Sequence, residues 1–382
     1  MTYDTFGFTE QQVLMRDGIL KLVDKVYPPE KIRHDEATSS FPFEATRALA
    51  DAGWYGLPIA EEYGGTAAGY ADMAVFIEAL SYRHKGLSTA YICTVIYGGM
   101  MLQKAAREEI RREFLPKIVN GDIRMAISYT EPSSGSDAAG IRTRARKAEG
   151  GYTLQGQKIY STAAHVADYL VVSAKTDPDK GAKGLSLFLV DTRSPGVTIR
   201  PMDPLGCRTT LINEVFLDEV PVPAEHLLGE ENGGWKLLMH GLNFERLLLA
   251  AAASGQAMNI LEITRTYALE RYAFGKRITE FQAVAHKLAE MRMLTETNRL
   301  HCHRVAAMLD AGRDAIIETA IAKTVTNENL CRIADLGLSI FAAAGFVAGD
   351  MQRLFRDSRI GFIGGGTAEI MRNVIARQMG VT

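Results

Sequence analysis

The chain has 382 residues, 47% hydrophobic and 23% charged, an ordinary globular composition with room for two or three domains. A net charge of −2, with no strongly basic half, argues against a nucleic-acid partner. The longest apolar run, Leu247 to Ala253, is too short to cross a bilayer, and Met1-Thr2-Tyr3-Asp4 lacks the basic-then-apolar start of a secretory signal. The expectation is therefore a cytoplasmic protein with no membrane or nucleic-acid partner.

Residues 1–123 read as a helical domain. Gln11 to Val26 carries a broad apolar stripe that Pro28-Pro29 ends. Phe43 to Ala52 and Ala71 to Ser81 repeat the pattern on either side of a Gly-rich turn, Gly56 to Gly65. Leu102, Ala106, Ile110 and Phe114 recur at four-residue spacing and predict one helix from Leu102 to Val119, stopped by Asn120-Gly121.

Residues 124–231 change period. Arg142 to Lys147, a Gly150-Gly151 turn and Tyr152 to Gln157 predict a hairpin. Tyr169 to Ala174, Leu185 to Val190, Val197 to Arg200 and Glu214 to Val220 read as further strands of a small antiparallel sheet or barrel. Arg142, Arg144 and Arg146 share one strand face, as a phosphate or partner contact or, preferably, as a solvated edge. Ser128 to Asp137 precedes the hairpin and is rich in Ser, Thr, Gly and Pro. It reads equally as a domain-junction turn or as a cradle for a carbonyl-rich ring or a phosphate.

Residues 232–382 are helical again. Trp235 to Tyr272 (expected to be broken), Glu280 to Ala311 and Asp314 to Ala344 have lengths that suit an antiparallel bundle. Thr367 is a credible N-cap for a last helix ending at Met379. The glycines Gly364, Gly365 and Gly366 ahead of it make either a sharp turn or a close-approach site. Cys93, Cys207, Cys302 and Cys331 suit neither a zinc site nor a disulfide framework. His301-Cys302-His303 diverge on a helix, so no metal is expected.

The order helical domain, β domain, helical bundle is uncommon, and the motifs along it resemble the acyl-CoA dehydrogenase family over nearly the whole length. They are Ala60 to Gly65, Tyr129-Thr130-Glu131-Pro132 with Gly135-Ser136-Asp137, and Gly156-Gln157-Lys158. Gly234-Trp235, Tyr267 to Arg271 with Phe274-Gly275 and Phe281-Gln282, and Arg356-Asp357 leading into Gly366-Thr367-Ala368-Glu369-Ile370 complete the series. The resemblance implies an α+β chain ending in a four-helix bundle, with FAD bound between the β domain and the bundle. It implies dehydrogenation of an acyl-CoA: a carboxylate takes the α-proton and the β-hydrogen leaves as hydride to flavin N5. Electrons would then pass to an electron-transfer flavoprotein, and a homotetramer is expected.

Carried over residue by residue, Tyr129 and Thr130 fall at the flavin ring, and Gly135 and Ser136 near its phosphates, Ser136 also near the thioester ligand. Thr162 falls near N5, and Tyr160 stands where the family has Trp. Arg271, Phe274 and Gln282 match positions that reach a neighbouring subunit's FAD, and Thr367 and Glu369 match the segment beside the adenosine part of FAD; for each a structural role is the alternative. Many members carry the base two residues before the matching Thr, where this chain has Gly365. Isovaleryl-CoA dehydrogenase and its kin carry it before a matching Arg, here Glu245 ahead of Arg246, the alternative being a structural charge pair. Gly364 and Gly365 are expected at the thioester, Gly365 through its backbone N–H. Asn243 replaces an Asp that holds the pantetheine arm, and Ala342 to Ala344 and Ser339 depart from the family near the adenine. These departures leave open an acyl or aminoacyl group on a carrier protein. An oxygen-using oxidase or monooxygenase and a non-catalytic partner subunit are the remaining alternatives.

Overall fold

Helix propensity, caps and apolar stripes resolve the first third into α1 (Glu10–Val26), α2 (Pro29–Thr38), α3 (Phe43–Asp51), α4 (Tyr70–Arg83) and α5 (Lys85–Tyr91). The computed structural model describes residue 5 and residues 7–381, apart from the side chains of His240, Leu242 and Asn243. Thr9 and Gln12 close a reciprocal capping box that starts α1. From α5 the chain runs without a break through a π-helical segment, Ile92–Met100, into α6 (Met101–Ala105).

The single helix expected from Leu102 to Val119 is two. Ala106 and Arg107 are extended, and α7 (Glu108–Val119) restarts behind them with Glu108 and Glu109 in its first turn. Four-residue apolar spacing survives such a break, because both pieces bury the same face. The carbonyl of Ala105 takes its hydrogen bond from the Gly229 N–H at 2.7 Å, so the break ties the helical domain to the end of the sheet.

The sheet comprises β1 (Met125–Ser128), β2 (Arg144–Ala148), β3 (Gly151–Thr162), β4 (Tyr169–Lys175), β5 (Leu185–Asp191), β6 (Val197–Pro201), β7 (Ile212–Pro223) and β8 (Leu227–Leu228). Its order is β6-β7-β3-β2-β4-β5-β8, with β1 beside β4. The expected hairpin is β2–β3, and Arg142, Arg144 and Arg146 lie exposed along it. The sheet is neither purely antiparallel nor a closed barrel. β1 pairs with β4 in parallel, and β2 meets β4 in parallel through one residue pair, Arg144 with Lys175. Among the described residues no pairing joins β6 to β8, the strands at the two ends.

The last third is α8 (Gly234–Glu270), a two-stranded turn of β9 (Tyr272–Ala273) and β10 (Lys276–Arg277), α9 (Gln282–Asp310), α10 (Ile316–Phe341), α11 (Ala343–Phe346), α12 (Asp350–Ser358) and α13 (Ala368–Gln378). The break expected in the first of these helices is absent: α8 is continuous over 37 residues. Gly241 and Gly255 suggest a break by propensity, but α4, α9 and α10 all pack along α8 and hold it. By length and composition alone α8 could cross a membrane, yet 72% of its apolar window is buried in the protein.

One core joins the three parts. Met73, Phe76 and Ile77 of α4, Val171 and Leu187 of the sheet, Leu247 and Leu248 of α8, and Val305 of α9 belong to one contiguous buried cluster. Where α4 crosses α8, a Cβ built on Gly255 would lie 2.1 Å from the Glu78 carbonyl oxygen and 2.8 Å from the Tyr82 backbone nitrogen. Replacing a helical Gly with Ala gains about 1 kcal/mol of propensity, but overpacking a backbone contact costs about 1–3 kcal/mol. Gly255→Ala is therefore expected to lower stability in denaturant unfolding. A stabilised variant would show that the two helices are free to separate.

Candidate active site

The Ser128–Asp137 stretch leaves β1 as a loop with a stiff base and an open tip. Ile159 N–H donates to the Thr130 carbonyl at 2.9 Å, and Glu131 and Ser134 exchange two backbone hydrogen bonds of 3.0 Å. The Glu131 side chain turns inward. It accepts from the backbone N–H groups of Arg142 at 2.6 Å and Thr143 at 2.9 Å, and from Lys158 Nζ at 2.8 Å. Lys158 is fully buried and also donates to Ser173 Oγ at 3.3 Å and the Tyr129 carbonyl at 3.4 Å. Burial by itself raises the Glu131 carboxyl, but the Lys158 charge and the hydrogen bonds outweigh it and hold the group below the usual carboxylate range. For Lys158 burial wins over the pull of Glu131, and its pKa falls to about 8. Gly135 and Ser136 stand exposed at the tip, while Tyr129 and Thr130 are part-buried at the seam.

Across this seam β3 ends irregularly. Its register against β7 slips between Lys158 and Ser161, and Tyr160 and Ala163 both take left-handed backbone angles, with φ of 59° and 57°. Such angles are costly for residues with a Cβ and gather where the surroundings enforce them. They leave the Tyr160 ring 55% exposed next to part-buried Thr162. A half-open aromatic face, two hydroxyl residues and a loop tip of Gly and Ser make a polar-edged seat suited to a flat conjugated ring with a phosphate tail. By these features the residues present fit FAD.

Glu245 lies on α8 and is 2% exposed. Tyr97 of the π-helical segment donates its hydroxyl to Glu245 Oε1, whereas Oε2 is buried with no hydrogen-bond partner among the described residues. Burial pushes the carboxyl above its ordinary range, against the Tyr97 hydrogen bond and the charges of Arg246 and Lys323. Arg246 Nε donates to the Gly365 carbonyl at 3.3 Å, and Lys323 Nζ donates to the carbonyls of Gly361 at 3.0 Å and of Gly366. Those two cations thus clamp the glycine turn ahead of α13 by its oxygens. Gly365 has φ 66°, and a Cβ there would sit 3.4 Å from Glu245 Oε1 and 2.3 Å from Leu249 Cδ1. A side chain at residue 365 would therefore collide with Leu249 and start in contact with the carboxyl of residue 245. Tyr129 borders the same space: its phenol is pushed well above its ordinary range by burial and then by the Glu245 charge.

The remaining expected residues lie elsewhere. Arg271, Phe274 and Gln282 are exposed at the α8–α9 turn, Phe274 at 95%. Glu270 is 25 residues beyond Glu245 on the same helix, or about 37 Å at 1.5 Å per residue. An open groove of about 390 Å³ lined by Leu261, Leu269 and Leu288 sits toward that distant end. Thr367 caps α13, its Oγ1 accepting from Ile370 N–H at 3.2 Å, and Glu369 is exposed in the first turn. Gly364 is part-buried in the glycine turn, and Ser339 Oγ accepts from Lys287 Nζ at 2.7 Å. Asn243, through its side chain, lies outside the described residues. Among the described residues no group of three His, Cys, Asp or Glu is placed to hold a metal.

Sequence reasoning did not single out Tyr97, Lys323, or the pairing of Glu131 with Lys158. Only a tyrosine and a lysine inside otherwise apolar helical runs were available as a signal. Twenty-seven residues separate Glu131 from Lys158, and 148 separate Tyr97 from Glu245.

Family models for the acyl-CoA dehydrogenase N-terminal, middle and C-terminal domains match residues 9–122, 126–220 and 232–380. The chain is 32% identical over 377 residues to the probable acyl-CoA dehydrogenase YngJ of Bacillus subtilis, covering 98% of this chain and 99% of that protein. It is 31% identical over 376 residues to CarC, a subunit of the caffeyl-CoA reductase–Etf complex of Acetobacterium woodii, covering 97% and 98%. The solved structure of a glutaryl-coenzyme A dehydrogenase–glutaryl-CoA complex superposes with a TM-score of 0.95 at 27% identity, covering 100% of this chain and 98% of that one.

Lys158→Met leaves the Glu131 carboxylate buried without its cation, which is expected to cost about 3–5 kcal/mol. Denaturant unfolding checks it, and a loss below 1 kcal/mol would mean that water or another cation replaces the ammonium. Glu131→Gln combined with Lys158→Met is expected to recover part of that loss, because no charge is then left buried alone.

Proposed function

Because the chain belongs to the acyl-CoA dehydrogenase family, an FAD-dependent family of oxidoreductases, we propose that it desaturates the α,β bond of an acyl-CoA thioester with Glu245 as the base. The observation that carries this reading is the Glu245 carboxyl: buried, with Oε2 unpartnered among the described residues, and 3.4 Å from where a Cβ on residue 365 would sit. The seat beside it is built by Tyr129, Thr130, Tyr160 and Thr162, with Gly135 and Ser136 toward phosphate. When bound there, FAD supplies the two-electron acceptor for the β-hydrogen.

Each protein group then has a physical task. In its dry surroundings the carboxylate is a stronger base than in water, and the neutral acid formed after proton transfer is the form that burial favours. Arg246 and Lys323 hold the glycine turn by its carbonyls, which leaves the Gly365 N–H to meet the thioester oxygen as enolate charge develops. Gly364 gives that contact room, and Ser136 and Arg246 are assigned to the thioester ligand. Asn243 is assigned to its pantetheine arm, where an amide offers a weaker hold than a carboxylate. Arg271, Phe274 and Gln282, exposed at the far end of α8, are assigned to the FAD of a neighbouring copy in a homotetramer, and Thr367 and Glu369 to the adenosine part of FAD. An electron-transfer flavoprotein is the proposed electron acceptor, supported by the likeness to the Etf-complex subunit.

Anaerobic mixing of the FAD-loaded protein with a panel of acyl-CoA thioesters is expected to bleach the flavin. Glu245→Gln is expected to slow that bleaching by about 100-fold or more with FAD retained. Undiminished bleaching in this variant would assign the base elsewhere. Failure of every thioester, whether on CoA or on a carrier protein, would overturn the dehydrogenase reading itself.

A further inference from the structure

Among the described residues, the Glu245 carboxyl takes its side-chain hydrogen bond from Tyr97, which lies outside its own helix. Tyr97 comes from the nine-residue π-helical segment Ile92–Met100, a rare winding that concentrates at functional sites. That winding sets the ring between two buried clusters. One is the common core that contains α8; the other contains Cys93 and Ala163, the residue after Thr162. Tyr97 therefore stands between Glu245 and the end of β3 where the flavin seat lies.

The groups facing Glu245 are Tyr97 and Cys93 from the π segment, Tyr129 from the seam, Arg246 from α8 and Lys323 from α10. Arg246 and Lys323 are directed at backbone carbonyls of the glycine turn, and Cys93 donates to the Thr162 carbonyl at 3.8 Å. The hydroxyl aimed at the carboxyl is that of Tyr97.

We propose that Tyr97 is the positioning residue for the base: its hydroxyl holds Glu245 Oε1, favours the carboxylate over the neutral acid, and leaves Oε2 as the proton acceptor. The role of the base rests on the functional reading above; the grip on Glu245 does not. The phenol is itself pushed well above its ordinary range, by burial and then by the Glu245 charge, so it remains a donor wherever Glu245 titrates. Among the effects that oppose the burial of Glu245, this hydrogen bond ranks ahead of the charges of Arg246 and Lys323. A hydroxyl donating to an ion across a low-dielectric contact has that effect.

The test titrates Glu245 directly. The carboxylic-acid stretch in infrared difference spectra, taken between the FAD-loaded protein and its Glu245→Gln variant across pH, isolates this one group without substrate. Tyr97→Phe is expected to move the midpoint upward by about one pH unit or more. The acid limb of flavin bleaching by butyryl-CoA and isovaleryl-CoA is expected to move with it, so that bleaching at low pH is about tenfold slower. Placing 3-fluorotyrosine at position 97, a more acidic donor of nearly the same shape, is expected to move the midpoint downward even if the Phe variant folds poorly. An unmoved midpoint in both variants would overturn the inference, since a purely space-filling tyrosine leaves the titration where it is. Full bleaching by Glu245→Gln would overturn the functional reading alone, and the infrared titration would still decide whether Tyr97 grips this carboxyl.

Discussion

A carboxylate buried where the first helical domain meets the C-terminal helices is the constraint on which the site depends. Moving an isolated carboxylate into an apolar interior costs far more than a domain's net stability, unless polar partners and nearby opposite charges compensate or the group takes up a proton. Glu245 has both kinds of compensation: the Tyr97 hydroxyl on one oxygen, and Arg246 and Lys323 close by. Tyr97 comes from the first helical domain, Glu245 and Arg246 from α8, and Lys323 from α10. The same core cluster that packs the domains together therefore also assembles the polar groups.

Close approach is the means. α4 reaches α8 because residue 255 has no side chain to hold them apart, and the turn ahead of α13 closes on Leu249, one turn along α8 from Glu245, because residue 365 has none. Neither glycine offers a side chain, yet each sets how closely two segments approach. The second buried charge pair, Glu131 with Lys158, does comparable work on the other wall. It cross-links the loop after β1 to the N-terminal end of β2 and to β3, so the residues at the seam are carried on a stiff base. The left-handed Tyr160 and Ala163 beside it are tolerated because the Ser161 neighbourhood between them is pinned by buried Ser128 and Asn213.

Much of the fold was legible because its signals are local. The hairpin at Gly150-Gly151, the apolar strands Tyr169 to Ala174 and Leu185 to Val190, the cap at Thr367 and the length of the bundle helices depend on residues within a few positions of one another. The errors came where a tertiary contact overrides a local signal. The Ala106–Arg107 break is held by Gly229, more than 120 residues away, and α8 stays whole because three helices pack against it. An open mixed sheet rather than a barrel is likewise a question of which edges meet, which alternation along a strand does not express.

The sequence by itself determined the order of the parts and the family to which they belong, and it places a carboxyl at 245 where residue 365, a glycine, has none to offer. Tertiary structure alone decided that these two positions face one space, that Tyr97 closes on one oxygen of Glu245, and that Lys323 and Arg246 bind carbonyls of the glycine turn while standing beside the carboxyl. Residue identity is written along the chain. Burial, the lone pair left without a donor and the distance to a cation arise only when segments more than a hundred residues apart exclude water together, and those quantities set how strongly a carboxyl holds its proton.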